Sequence, residues 1–103
     1  MATLIRLYWR DIPAQVIGRE GRKKVKQVLD PRFAQAIDRA AMRAGRGSSD
    51  AYLEDWRREN EKVAGDMNAL VAEAVSALEA EFPPDYLERV VKNGGLKEGV
   101  KEA

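Results

Sequence analysis

The chain has 103 residues, 45% apolar and 34% charged, with 18 Lys+Arg, 17 Asp+Glu and neither Cys nor His. Its length sets one small domain. The missing residue types exclude a disulfide framework, a thiolate nucleophile, a Cys/His zinc or haem site and imidazole acid–base catalysis. Any chemistry would fall to carboxylates, Lys, Tyr, Ser/Thr or backbone groups. The expectation is a domain with no reaction of its own, no metal and no cofactor. No stretch approaches ~18 consecutive apolar residues, and Arg6 brings charge too early for the apolar core of a secretory signal. A cytoplasmic chain without membrane contact is therefore expected.

The net charge of +1 hides an asymmetry. Residues 1–30 hold seven Lys/Arg and three Asp/Glu, residues 31–60 six and five, and residues 61–103 five and nine. The balances are +4, +1 and −4. A basic front and an acidic back make the molecule a dipole, or else pair with each other in the fold.

In chain order, Thr3 to Arg10 alternates, with Ile5, Leu7 and Trp9 facing one way and Arg6, Tyr8 and Arg10 the other. That pattern predicts a strand with one buried and one wetter face. Asp11-Ile12-Pro13 should break it, since Pro13 cannot donate to a ladder. Ala14–Ile17 resumes a short strand stopped by Gly18, and Arg19-Glu20-Gly21 would turn into a further strand over 22–29. Together these predict an antiparallel sheet of two or three strands within residues 3–29.

Helical signals begin at Asp30-Pro31, an N-cap followed by proline at the first helical position. Phe33, Ala34, Ile37, Ala40, Ala41 and Ala44 keep helical spacing until Gly45, which predicts a helix over 31–44. After a Gly/Ser loop, one serine should cap a second helix over 49–60, with Glu54 and Arg58 paired at i,i+4. A third apolar stripe, Val63 to Phe82, predicts a helix over 63–82 ended by Pro83-Pro84. Glu59 and Asn60 interrupt any continuous 49–82 helix, which favours a break near 60–62. A short helix over 85–92 ends at Asn93-Gly94-Gly95. The domain then spans 1–95, and 96–103 reads as a disordered tail. Strands first and helices after is the α+β order.

Three clusters invite a functional reading. Tyr8, Trp9, Arg10, Asp11 and Gln15 concentrate aromatic and guanidinium groups at a strand junction, as a binding rim would. The plainer and weightier reading makes Trp9 a core anchor and pairs Arg10 and Asp11 locally. Arg19, Arg22, Lys23, Lys24 and Lys26 could contact an anion. However, they lack interleaved aromatics, so a solvated sheet edge outweighs nucleic acid. Glu54, Glu73, Glu79 and Glu81 read as solvated helix positions. Trp56 belongs to helix packing, and partial exposure there would point to a partner surface.

The runs Tyr8–Val16, Arg32–Arg43 and Asp50–Arg57 resemble the small bacterial virulence-factor domain. That domain occurs in a longer staphylococcal conserved virulence factor beside helical repeats, and in short stand-alone alphaproteobacterial forms. The resemblance is most specific over residues 3–58. It implies no established reaction and no catalytic residues, so no site is carried over. Stand-alone members also neighbour corrinoid- and folate-dependent methyl-transfer genes, which implies an accessory or small-ligand role in one-carbon metabolism. The leading expectation is a non-catalytic domain that binds a protein partner, with Tyr8–Gln15 in the contact surface. Nucleic-acid binding through 19–26 ranks third. A homo-oligomer is also open, because the Val63–Phe82 stripe could bury its face between protomers.

Overall fold

A computed structural model describes residues 2–46, 49–97 and 99. The elements run β1 (Ala2–Trp9), β2 (Ile12–Glu20), β3 (Lys23–Val28), α1 (Pro31–Arg43), α2 (Ser49–Glu54), β4 (Trp56–Val63), α3 (Met67–Glu81) and α4 (Pro84–Lys92). The fold is α+β, as expected. The sheet, however, has four strands in the order β3-β2-β1-β4, every neighbouring pair antiparallel.

The fourth strand lies where a helix was predicted over 49–60. Only Ser49–Glu54 is helical, and Trp56–Val63 pairs residue for residue with β1, from Trp9↔Trp56 to Ala2↔Val63. Segment 49–82 thus holds two helices, as the expected break implies, but with a strand between them. The residues of β4 are charged and mostly exposed, so hydrophobic periodicity had nothing to register. Hydrogen bonding to the open edge of β1 overrides their helix propensity. The expected Glu54–Arg58 pair goes with the helix; Glu54 instead meets Arg46 at 3.1 Å. The 63–82 helix correspondingly starts later, at Met67, with the Asp66 side chain accepting from the Ala69 amide.

The β1–β2 junction also differs. The turn is Arg10-Asp11, and β2 runs unbroken through Pro13 and Gly18. Proline is tolerated because the register shifts there, with Leu7 opposite Gln15 but Tyr8 opposite Pro13, leaving Ala14 as an extra residue. Gly18 does not stop the strand. It leaves room for α3, since a Cβ at this position would lie 2.1 Å from Met67 Sδ.

Asp30 caps α1 by accepting from the Arg32 amide, and Pro31 opens the helix, as the sequence indicates. Helix α1 packs on α4 and on the β1–β2 end of the sheet, while α3 lies along β2 and β3. Phe33 and Phe82 meet edge to face between α1 and the end of α3. Arg32 donates to the carbonyl of Phe82 and to that of Glu79, which also accepts from the Phe82 amide at the end of α3. The stripe Met67, Val71, Ala74, Val75, Leu78 and Phe82 is buried inside this one chain. No helix among the described residues is long and apolar enough to cross a membrane. The serine cap expected before α2 lies outside the described residues, as does the tail at 98 and 100–103.

Candidate binding face

The strand register assigns each side chain to one of two sheet faces, because residues alternate and direct partners point the same way. Leu4, Val16, Gly18 and Val25 share the face covered by α3, as the clash of a Gly18 Cβ with Met67 and Val71 establishes. The other face carries Thr3, Ile5, Leu7 and Trp9 from β1, and Gln15, Ile17 and Arg19 from β2. To these β3 adds Lys24, Lys26 and Val28, and β4 adds Trp56, Arg58, Asn60 and Lys62.

Among the described residues, this second face is covered at one end only. There Trp9 is 0% exposed, stacked on Tyr52 at 6.0 Å, with its indole N–H donating to the Tyr52 carbonyl at 2.9 Å. Gly95 closes over it with φ +90°, a conformation open to glycine, and a Cβ there would lie 2.8 Å from the indole ring. Beyond Leu7 the face opens. Leu7 and Ile17 are half-buried and Val28 is 57% exposed. Ile5, though only 7% exposed, stands outside the main apolar cluster. The expected burial of β1 holds for Ile5 and Trp9, while Leu7 is only half-buried; the expected wetter face is corrected, since Leu4 and Tyr8 lie in the core under α3.

Around this aliphatic centre stand five cations: Arg19, Lys24 and Lys26 from β2 and β3, Arg58 and Lys62 from β4. All five are exposed, and none makes an ion pair among the described residues. The four strands contribute no Asp or Glu to this face. At its covered end a pocket of about 240 Å³ opens between Leu7, Gln15 and Val28 of the sheet, Ala34 and Ile37 of α1, and the rings of Tyr52 and Trp56. Burial, with the charge of Asp38 adding to it, pushes the Tyr52 phenol above its usual range.

The structure distributes the sequence candidates unevenly. Of the basic run, Arg19, Lys24 and Lys26 share the open face. Lys23 points to the α3 side, opposite Glu20, and Arg22 sits in the turn. Of the junction, Gln15 alone lines the pocket, beside Leu7. Trp9 is core. Arg10, at φ 54°, donates its backbone N–H to the Asp55 carbonyl (2.9 Å) and its guanidinium to Asp55 Oδ2 (3.2 Å) and the Gly94 carbonyl (2.9 Å). Asp55 also receives Arg46 Nε at 2.9 Å. Asp11 accepts from Arg57 and from the Lys97 amide (2.8 Å). Arg57 lies 4.3 Å over the Tyr8 ring and donates to the Arg10 carbonyl and Glu59. Burial first, then the charge of Glu59, pushes the Tyr8 phenol up. The cluster thus clasps the β1–β2 turn to β4 and to the segment after α4. Sequence patterns do not single out Arg58 and Lys62, because β4 carries no apolar alternation, nor do they show that Ile5, Leu7 and Ile17 share the face those cations border. No group of three or more carboxylates suited to a metal ion occurs among the described residues.

The family model described as Virulence factor covers residues 7–91, well over half of the chain. No curated protein and no solved structure matches it. The match spans the pocket and the whole of β2, β3 and β4, and at this coverage the chain belongs to the virulence-factor family.

Proposed function

We propose that the chain is a non-catalytic binding domain that contacts a protein partner through the open sheet face and the pocket at its end. The observation that carries this reading is the half-covered sheet. An α+β domain stabilises a sheet by covering its apolar side chains, yet Leu7, Ile17 and Val28 remain accessible among five cations that make no ion pair among the described residues. Trp56 is half-buried at the pocket, in the position where an aromatic anchor from a partner would be received. The pocket size supports an anchoring side chain over a free cofactor. At about 240 Å³ it falls below the ~300–1,000 Å³ of sites that bury drug-sized ligands. An accessory role beside a one-carbon methyltransferase would use the same face, with the enzyme as partner.

The test is affinity capture from the native cell with the intact chain and two folded variants. Ile17→Asp, on the open face, should remove the specifically captured proteins, whereas Glu73→Lys, at an exposed position of α3, should retain them. Equal capture by both would overturn the reading, and recovery of a methyltransferase would identify the accessory role.

A further inference from the structure

We infer that the open sheet face receives an acidic amphipathic helix from the partner, its apolar side on Leu7 and Ile17 and its carboxylates between two cationic margins. This rests on the binding-domain reading above and adds the chemistry of the ligand. The argument begins with the arrangement of charge. Lys24 and Lys26 occupy one outer strand, and Arg58 and Lys62 occupy the other. The two inner strands place Ile5 directly opposite Ile17, and Leu7 opposite Gln15. Arg19 closes one end of this aliphatic strip and the Tyr52–Trp56 pocket the other.

Dimensions then select the occupant. Outer strands separated by three spacings of ~4.8 Å lie ~14 Å apart. An α-helix with its side chains is about 10–12 Å across, so it fits between the margins with acidic residues reaching either side. Helix α3 already packs against β2 and β3 on the opposite side of the sheet. Among the described residues, no helix covers the stretch of the open side beyond Leu7.

Nucleic acid is the competing polyanion, and the centre of the face argues against it. A single strand would be held by aromatic platforms for its bases. Here the accessible centre is Leu7, Ile17 and Val28, while Trp9 is buried and Tyr52 and Trp56 sit at the pocket end. Aliphatic side chains flanked by cations match an acidic helix whose apolar residues recur at i, i+3, i+4 and i+7.

The experiment titrates the intact chain, followed by backbone amide NMR, with three probes. One is a helical 16-residue peptide with leucines at i, i+3, i+4 and i+7 flanked by glutamates. The second keeps the glutamates and replaces each leucine by serine. The third is a 16-nucleotide oligothymidine. The expected result is saturable binding of the leucine peptide, with shifts centred on Ile5, Leu7 and Ile17. The serine peptide and the Lys26→Glu/Lys62→Glu variant should each weaken it by at least about tenfold, that is ~1.4 kcal/mol.

Equal binding of the two peptides would reduce the face to a charge effect and overturn the inference, as would shifts centred elsewhere. Binding of the oligonucleotide alone would overturn it in favour of nucleic acid. No binding by any probe also overturns it. Native-cell capture that still depends on Ile17 would then leave the binding-domain reading standing without the helix.

Discussion

Arg10 shows how the junction spends its unusual residues on structure. A non-glycine residue at φ 54° is strained, and the conformation persists because three bonds to Asp55 and Gly94 hold it. Two substitutions separate backbone from side chain. Arg10→Ala should cost about 1–3 kcal/mol from the lost charged hydrogen bonds, and Arg10→Gly should recover about 1 kcal/mol of that by relieving the left-handed backbone. Urea unfolding measures both, and equal losses would show that the strain is negligible. The density of Tyr, Trp, Arg and Asp over 8–11 was legible in the sequence, but its purpose was not. The groups that occupy those side chains, Asp55, Arg57, Gly94 and Lys97, lie more than 40 residues away.

The same burial governs two phenols. Tyr8 and Tyr52 both ionise above the usual value. For a group whose folded pKa is raised, the contribution is fully present below the unfolded value and lost as pH rises through the folded one. Stability should therefore hold up to about pH 10 and fall beyond it. Phenolate absorbance should contain a late-titrating component that Tyr8→Phe diminishes. A Tyr8→Phe chain with an unchanged titration curve and unchanged alkaline stability would refute this.

Among the elements, β4 separates what could be read from what could not. The helices α1 and α4 announce themselves through caps, prolines and 3.6-residue spacing, and β1 through alternation of apolar residues. In Trp56–Val63 the apolar pattern is absent, because an edge strand exposed on both faces has little to bury. A period of two is nevertheless present in its charges. Arg58, Asn60 and Lys62 fall on one face, while Glu59 and Glu61 fall on the other, where Glu61 meets Arg6 at 3.1 Å. Charge alternation was the missed signal. An edge held by one ladder should open before the strands it joins. Hydrogen exchange should therefore be faster in β4 than in β1 and slowest-opening within β4 at Trp56–Arg57, where Arg57 is tied to Arg10, Asp11 and Glu59. Uniform protection along β4 equal to that of β1 would contradict this.

At the scale of the whole molecule, the front-to-back charge asymmetry resolves into faces. Part of it is internal pairing: Arg39 grips Glu88 through two bonds, Arg46 meets Glu54 and Asp55, and Arg57 meets Asp11. Five of the other cations stand on one side of the sheet, where Arg19, Lys24, Lys26, Arg58 and Lys62 surround Ile5, Leu7 and Ile17. The basic run at 19–26 pointed to one margin of this surface. The opposite margin became visible only with the β1–β4 register, which no local pattern of hydrophobicity specifies. Sequence thus reached the fold class and half of the charged rim, while topology supplied the surface itself.

Site-specific photo-crosslinking in the native cell tests that surface most directly. A photoreactive residue at position 17 or 26 should trap a protein partner, and the same residue at position 73, on the exposed side of α3, should trap none. Adducts from position 73 with none from positions 17 and 26 would contradict the open sheet face as the binding surface.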